Sequence, residues 1–199
     1  MYTPNHFKSP NRESELQLIA DFPLATLVLN SPNGLDANLI PLYWFADESD
    51  GGRFGVLRGH VARANPLWQQ AGAEVLAIFQ SPSHYISPGY YPSKARDPRV
   101  VPTWNYSTVQ VRGELKVLES SEALLSLLTK VTTHHEQGSA SPWQLSDAPA
   151  PYLDKMLAAI VGIEIKISSS ISGKFKQSQN QSAENQAGVR EALAANLGR

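Results

Sequence analysis

Two stretches of strict alternation constrain this chain more than any other feature. Val109, Val111, Gly113, Leu115 and Val117 alternate with polar residues inside a run covering 100–119. Val161, Ile163, Ile165 and Ile167 do the same against Gly162, Glu164, Lys166 and Ser168. A period of two sends successive side chains to opposite faces, so both runs predict strands with one face in a core. The first is long enough to be one extended strand or a hairpin.

Shorter apolar runs add strands at 24–29, 37–45, 53–57 and 74–80. Ser31-Pro32-Asn33-Gly34 turns the first into the second, and Pro41 predicts an edge, a bulge or a break in the ladder. Residues 47–52 form a polar turn. Segment 81–99 is rich in Pro, Ser, Gly and Tyr without a period, and predicts an ordered loop or a pair of short strand pieces. Helical spacing marks 11–21, with Glu13 and Glu15 suited to the positive end of the helix dipole. It also marks the segment after Ser120-Ser121, where Leu124, Leu127, Leu128 and Val131 form one stripe. A third helix covers 150–160, with Tyr152, Leu153, Met156, Leu157 and Ile160 on one side. A terminal helix at about 182–197 carries Val189, Leu193 and Leu197. With no repeat and no long linker, residues 1–199 make one α+β, mainly β domain of five to seven strands and three or four helices. Strands dominate its first two thirds, which favours a barrel with peripheral helices over a doubly wound sheet.

Charge and composition narrow the function. Seventeen basic against eighteen acidic side chains leave no global attraction for nucleic acid or anionic lipid. The absence of cysteine removes disulfides, thiolate metal sites and Cys nucleophiles. No run of eighteen apolar residues exists, and the polar first eleven residues lead into no signal-peptide core, so the expectation is a soluble cytoplasmic protein.

Four constellations could carry chemistry. In His60-Val61-Ala62-Arg63-Ala64-Asn65-Pro66, a turn from a strand into a helix would expose backbone N–H groups, and Arg63 would add a donor fork for phosphate. On a helical turn His60 and Arg63 would share a face. The same heptapeptide also reads as a surface turn with a solvated arginine. Pro102-Thr103-Trp104-Asn105-Tyr106 offers ring faces and hydrogen-bonding groups for a planar cofactor, or ordinary sheet aromatics. The segment from His84 to Lys94 suits a shape-holding binding loop, or one merely packed by its tyrosines. Lys174, Lys176 and the amides of Gln177, Gln179 and Asn180 follow the last strand, where polar tails are usually solvated. His134-His135-Glu136 is not spaced as metal ligands, since adjacent helical residues diverge, and no metal site is expected. No Gly-x-Ser-x-Gly elbow supports a serine hydrolase.

Taken in order, these motifs resemble the PaiB family of flavin-binding regulators. The resemblance is carried by Met1-Tyr2-Thr3-Pro4-Asn5-His6-Phe7, Ala37-Asn38-Leu39-Ile40-Pro41-Leu42 and Gly59-His60-Val61-Ala62-Arg63-Ala64-Asn65-Pro66-Leu67-Trp68. It continues through Tyr85-Ile86-Ser87-Pro88, Tyr91-Pro92-Ser93-Lys94, Val101-Pro102-Thr103-Trp104-Asn105-Tyr106, and Lys176 with Ser178-Gln179-Asn180. It implies a split β-barrel similar to pyridoxamine-phosphate oxidases, with FMN at the interface of a homodimer. It further implies that Arg63 and His60 hold the FMN phosphate, and that Lys94, Thr103, Trp104, Asn105, Lys176 and Gln179 complete the site. Asn65 belongs either to that site or to a cap before Pro66. Ser81, Gly89-Tyr90 and Gln177 depart from the family pattern around the binding loop.

Three functions follow as expectations. One is a flavoenzyme passing electrons from a nicotinamide donor to an acceptor. Another is a regulator acting through a protein partner, because neither a basic stripe nor a helix-turn-helix signal points to direct DNA binding. The third is a haem-binding split barrel with His6, His60, His84, His134 or His135 as axial ligand.

Overall fold

Both alternating runs lie at the centre of one antiparallel sheet in the computed structural model, which describes residues 1–46, 54–118 and 120–197. After helix α1 (Arg12–Asp21), the chain forms β1 (Leu24–Ser31), β2 (Gly34–Pro41), β3 (Tyr43–Phe45), β4 (Val56–Ala62), β5 (Glu74–Gln80) and β6 (His84–Ile86). The long strand β7 (Thr103–Val117) leads to helices α2 (Ser121–Glu136) and α3 (Ala150–Ala158), and then to β8 (Ile160–Lys176) and α4 (Ala183–Leu197). Strand order is β2-β1-β5-β7-β8-β4-β3, with β6 paired to the start of β7.

The 100–119 run is thus one strand of 15 residues and not a hairpin. Its inward side chains Val109, Val111 and Leu115 are fully buried against Leu27, Phe79, Ile163 and Ile165. Each such side chain stabilises the fold by roughly 1.5–3 kcal/mol relative to exposure. β7 and β8 do not pair evenly. Val111 faces Ile171 but Gly113 faces Ile167, so β8 carries extra residues there and the sheet bends. The sheet curls until its ends meet, with β2 packed on β4. Gly59 permits that closure, because a Cβ there would lie 2.4 Å from the Pro41 carbonyl oxygen.

Several boundaries differ from expectation. The first hairpin turns on two residues, Ser31 pairing with Gly34, and the break at Pro41 divides β2 from β3. The expected strand at 53–57 is instead β4, which runs on through His60 because it pairs with the start of β8. The polar turn at 47–52 lies outside the described residues. The eight strands among the described residues exceed the five to seven expected, since β6 and the separate β3 are too short to carry a period. The apolar stripe of α3 is not buried: Tyr152 is 57% and Met156 38% exposed. By contrast the α4 stripe docks, with Val189 buried against Ile86 and Tyr91. No helix among the described residues is long and apolar enough to cross a membrane.

Candidate functional site

The outward face of β4 presents Arg58 and His60, two residues apart on the strand. Arg58 pairs with Glu164 of β8 at 2.8 Å, whereas His60 stands opposite Gly162. The His60 side chain reaches solvent, yet the protein around it removes enough water to hold its imidazole below the ordinary histidine value.

Arg63 follows directly, and its surroundings correct the sequence reading. No helix N-terminus forms at this turn, only a short 3-10 segment, Pro66–Gln70. The helix end that Arg63 meets is the C-terminus of α3. Its Nε donates to the Ala158 carbonyl at 2.7 Å, its Nη2 to that of Ile160 at 3.0 Å, and its backbone N–H to that of Ala159 at 2.8 Å. The Ala158 and Ala159 carbonyls are among those a helix leaves unpaired at its end, Ile160 already belongs to β8, and a cation there also meets the negative end of the dipole. His60 is on a strand, so the two residues do not share a helical face. Two of the five guanidinium N–H groups are engaged, leaving donors for an anion. Of its two readings, Asn65 takes the cap: its Oδ1 accepts from Leu67 N at 2.9 Å, while its Nδ2 donates to Asn38 Oδ1 at 2.9 Å. Beside Arg63 opens a cleft of about 530 Å3 that includes Trp68, Ser120, Asp154 and Gly162.

A second cluster forms where β7 begins and β8 ends. Lys176 Nζ donates to Thr103 Oγ1 and stands 5.8 Å from the Phe7 ring centre. Asn105 is buried and tied to Ser178, donating at 2.9 Å and accepting at 3.1 Å. That pair holds Ser178 at φ +63°, a left-handed conformation that a non-glycine residue rarely adopts. Gln179 is likewise engaged by the backbone, donating to the His6 and Phe175 carbonyls and accepting from Gln177 N at 2.7 Å. Strand alternation turns Trp104 away from Thr103 and Asn105. Its indole is 52% exposed and meets Tyr85 edge-on, ring centres 5.7 Å apart. Lys94 is exposed on the turn Pro92–Ala95, which α4 braces through Asn185 to Ser93 N and an ion pair between Glu184 and Arg96.

The nine expected residues therefore fall into separate groups. His60, Arg63 and Asn65 lie beside the start of β8, and Thr103, Trp104, Asn105, Lys176 and Gln179 at its far end. β8 has 17 residues, a contour on the order of 50 Å. Curl and bulge shorten that, and antiparallel pairing leaves the two groups at opposite ends of the strand. The donor chemistry fits such a ligand: a guanidinium with unengaged N–H groups, an ammonium beside a hydroxyl, and a half-exposed aromatic pair for a planar ring. Sequence reasoning missed the role of the α3 terminus, Ser178 as the partner of Asn105, and Asn38 as the partner of Asn65. All are contacts between residues far apart in sequence, without a local signal.

Comparison with known proteins adds to this geometry. A family described as "Putative FMN-binding domain" matches residues 1–169. An uncharacterised protein of Emericella nidulans is 35% identical over 207 residues, covering 87% of this chain and 82% of its own. The Bacillus subtilis "Protease synthase and sporulation protein PAI 2" is 31% identical, covering 97% of this chain and 89% of its own. Among solved structures, an FAD and heme binding protein from Mycobacterium smegmatis superposes with a TM-score of 0.64 at 20% identity, covering 94% of this chain and 79% of that one. At that identity the likeness is one of fold, a split barrel.

Proposed function

Because the chain belongs to this FMN-binding domain family, and is thereby a flavin-binding split-barrel protein, we propose that it binds FMN between two copies of itself and uses it as an oxidoreductase. The observation that carries the shared site is the separation of the two clusters along β8. In a two-fold dimer, the Arg63 end of one protomer faces the Thr103 and Lys176 end of its partner, and each contact occurs twice.

In this arrangement Arg63 offers its remaining N–H groups to the phosphate. Lys176 and Thr103 provide a cation and a hydroxyl, and Trp104 with Tyr85 gives apolar surface against the ring. Asn105 and Gln179 act at one remove, holding the backbone from which Lys176 projects. His60, whose partial burial favours the neutral imidazole, can donate or accept a hydrogen bond. Bound flavin supplies electron transfer between a nicotinamide donor and an acceptor; the protein binds, orients and shields it.

The test is direct. Titration with FMN should give saturable binding with one flavin per protomer, light scattering should give twice the protomer mass, and NADH or NADPH should bleach the flavin absorbance. A stable monomer that binds FMN at full affinity refutes the shared site. Failure of both nicotinamides to reduce the bound flavin refutes the oxidoreductase reading. The Bacillus relative's name concerns protease synthesis and sporulation. A regulatory role for this chain, acting in the cytoplasm through a protein partner, would then rest on the redox state of the same flavin.

A further inference from the structure

On the side of the barrel where β3 and β4 pair, α1, β3 and α2 enclose a cleft of about 680 Å3 that shares no residue with either cluster above. Leu16 and Ala20 of α1, Trp44 of β3 and Val131 of α2 give it apolar walls. A volume of this size with mostly apolar walls and a few convergent polar groups is characteristic of small-molecule sites. Trp44 offers only its apolar ring, since its indole N–H already donates to the Phe54 carbonyl at 2.9 Å. Arg12 donates to the same carbonyl at 2.7 Å and is directed there.

The charges at the mouth are uneven. Lys130 and His134 are one helical turn apart on α2 and share a face. The Lys130 ammonium stands 5.4 Å from the Phe45 ring centre and has no acidic partner among the described residues. Arg58 reaches the same ring at 5.4 Å but is neutralised by Glu164. On the opposite wall, Glu13 of α1 also lacks an ion pair among the described residues. The cleft is therefore an apolar trough with a cation on one wall and a carboxylate on the other, neither in an ion pair among the described residues.

We propose that this cleft binds a small amphipathic carboxylate, its apolar body against Leu16, Trp44 and Val131 and its head at Lys130. Glu13 sets the orientation by repelling the head from the α1 wall. The proposal is independent of the flavin reading.

Calorimetric titration with decanoate, kept below its micelle-forming range, and with the neutral analogue decanol tests it. Decanoate should bind one per protomer and at least tenfold more tightly than decanol. Lys130→Glu should weaken decanoate at least tenfold and leave decanol unchanged, whereas Glu13→Gln should tighten decanoate. Ala20→Phe, at an exposed helical position, should block both ligands without changing FMN affinity. Equal binding of decanol and decanoate overturns the anion recognition. Absence of decanoate binding, or unchanged binding in Ala20→Phe with native melting behaviour, overturns the site. If Ala20→Phe does not fold, the surface variant Lys130→Glu still decides, because unchanged decanoate affinity there refutes the role of Lys130.

Discussion

The proposed flavin site, split between protomers, makes a prediction that no single-chain site can satisfy. Arg63→Ala and Lys176→Ala each remove one charge-assisted contact, a loss of roughly 1.5–3 kcal/mol. At about 1.4 kcal/mol per tenfold, FMN should bind about tenfold to a hundred-fold more weakly to either variant alone. The two variants are then mixed, unfolded and refolded together. In a mixed dimer, one site lacks both side chains, while the other receives Arg63 from one chain and Lys176 from its partner. Random reassortment makes half the dimers mixed, so about one quarter of all sites should regain wild-type affinity. A chain carrying both substitutions gives no recovery on mixing with itself.

The assay is a fluorescence titration at an FMN concentration that fills wild-type sites but not the variant ones. Arg63 also holds the carbonyls of Ala158 and Ile160 where α3 passes into β8, so its loss should lower stability by up to about 1 kcal/mol per exposed hydrogen bond. Melting curves separate that effect from affinity. If the mixture binds no more FMN than the average of its two components, while dimers demonstrably exchange, the two clusters do not serve one flavin.

Three further outcomes follow from the geometry. His60 is held below its ordinary value by desolvation, so the unfolded chain binds the proton more readily, and His60 should lower stability as pH falls through the ordinary histidine value toward the folded one. Urea midpoints between pH 7.5 and 5 should fall less steeply for His60→Gln than for the wild type, and parallel profiles would refute this. Gly59→Ala sets a Cβ against the Pro41 carbonyl oxygen and should cost roughly 1–3 kcal/mol through the opened barrel seam, read as a lower urea midpoint. Glu15 is buried and accepts from Ser9 Oγ at 2.5 Å and from Gly173 N at 2.9 Å, so Glu15→Ala should cost roughly 1–3 kcal/mol by leaving the strand N–H unpaired. Wild-type melting behaviour would remove that role.

Legibility in the sequence tracked the distance over which each feature is decided. β7 and the alternating first half of β8 were visible because the period of two is written residue by residue, and the Ser120 cap of α2 because a cap is local. The seam at Gly59, the bulge opposite Val111 and Gly113, and the extension of β4 through Ala62 were not, because pairing partners decide them. α3 shows the converse error: its stripe satisfies helical periodicity, but Tyr152 and Met156 stay exposed.

The arrangement of the candidate residues was likewise decided by pairing and not by local spacing. His60 and Arg63 stand three apart in sequence, which suggested a helical cradle, but β8 needs a partner along 160–166 and holds His60 in a strand. Released from that ladder one residue past Ala62, Arg63 meets the end of α3, where its Nε and backbone N–H donate to the Ala158 and Ala159 carbonyls and its Nη2 to that of Ile160 in β8. Antiparallel pairing then carries Lys176 to the opposite end of β8 from Arg63. Complementary cationic and aromatic groups at opposite ends of one long strand cannot converge within a chain. In the proposed dimer, a two-fold axis, which reverses one copy against the other, is the simplest operation that would join them.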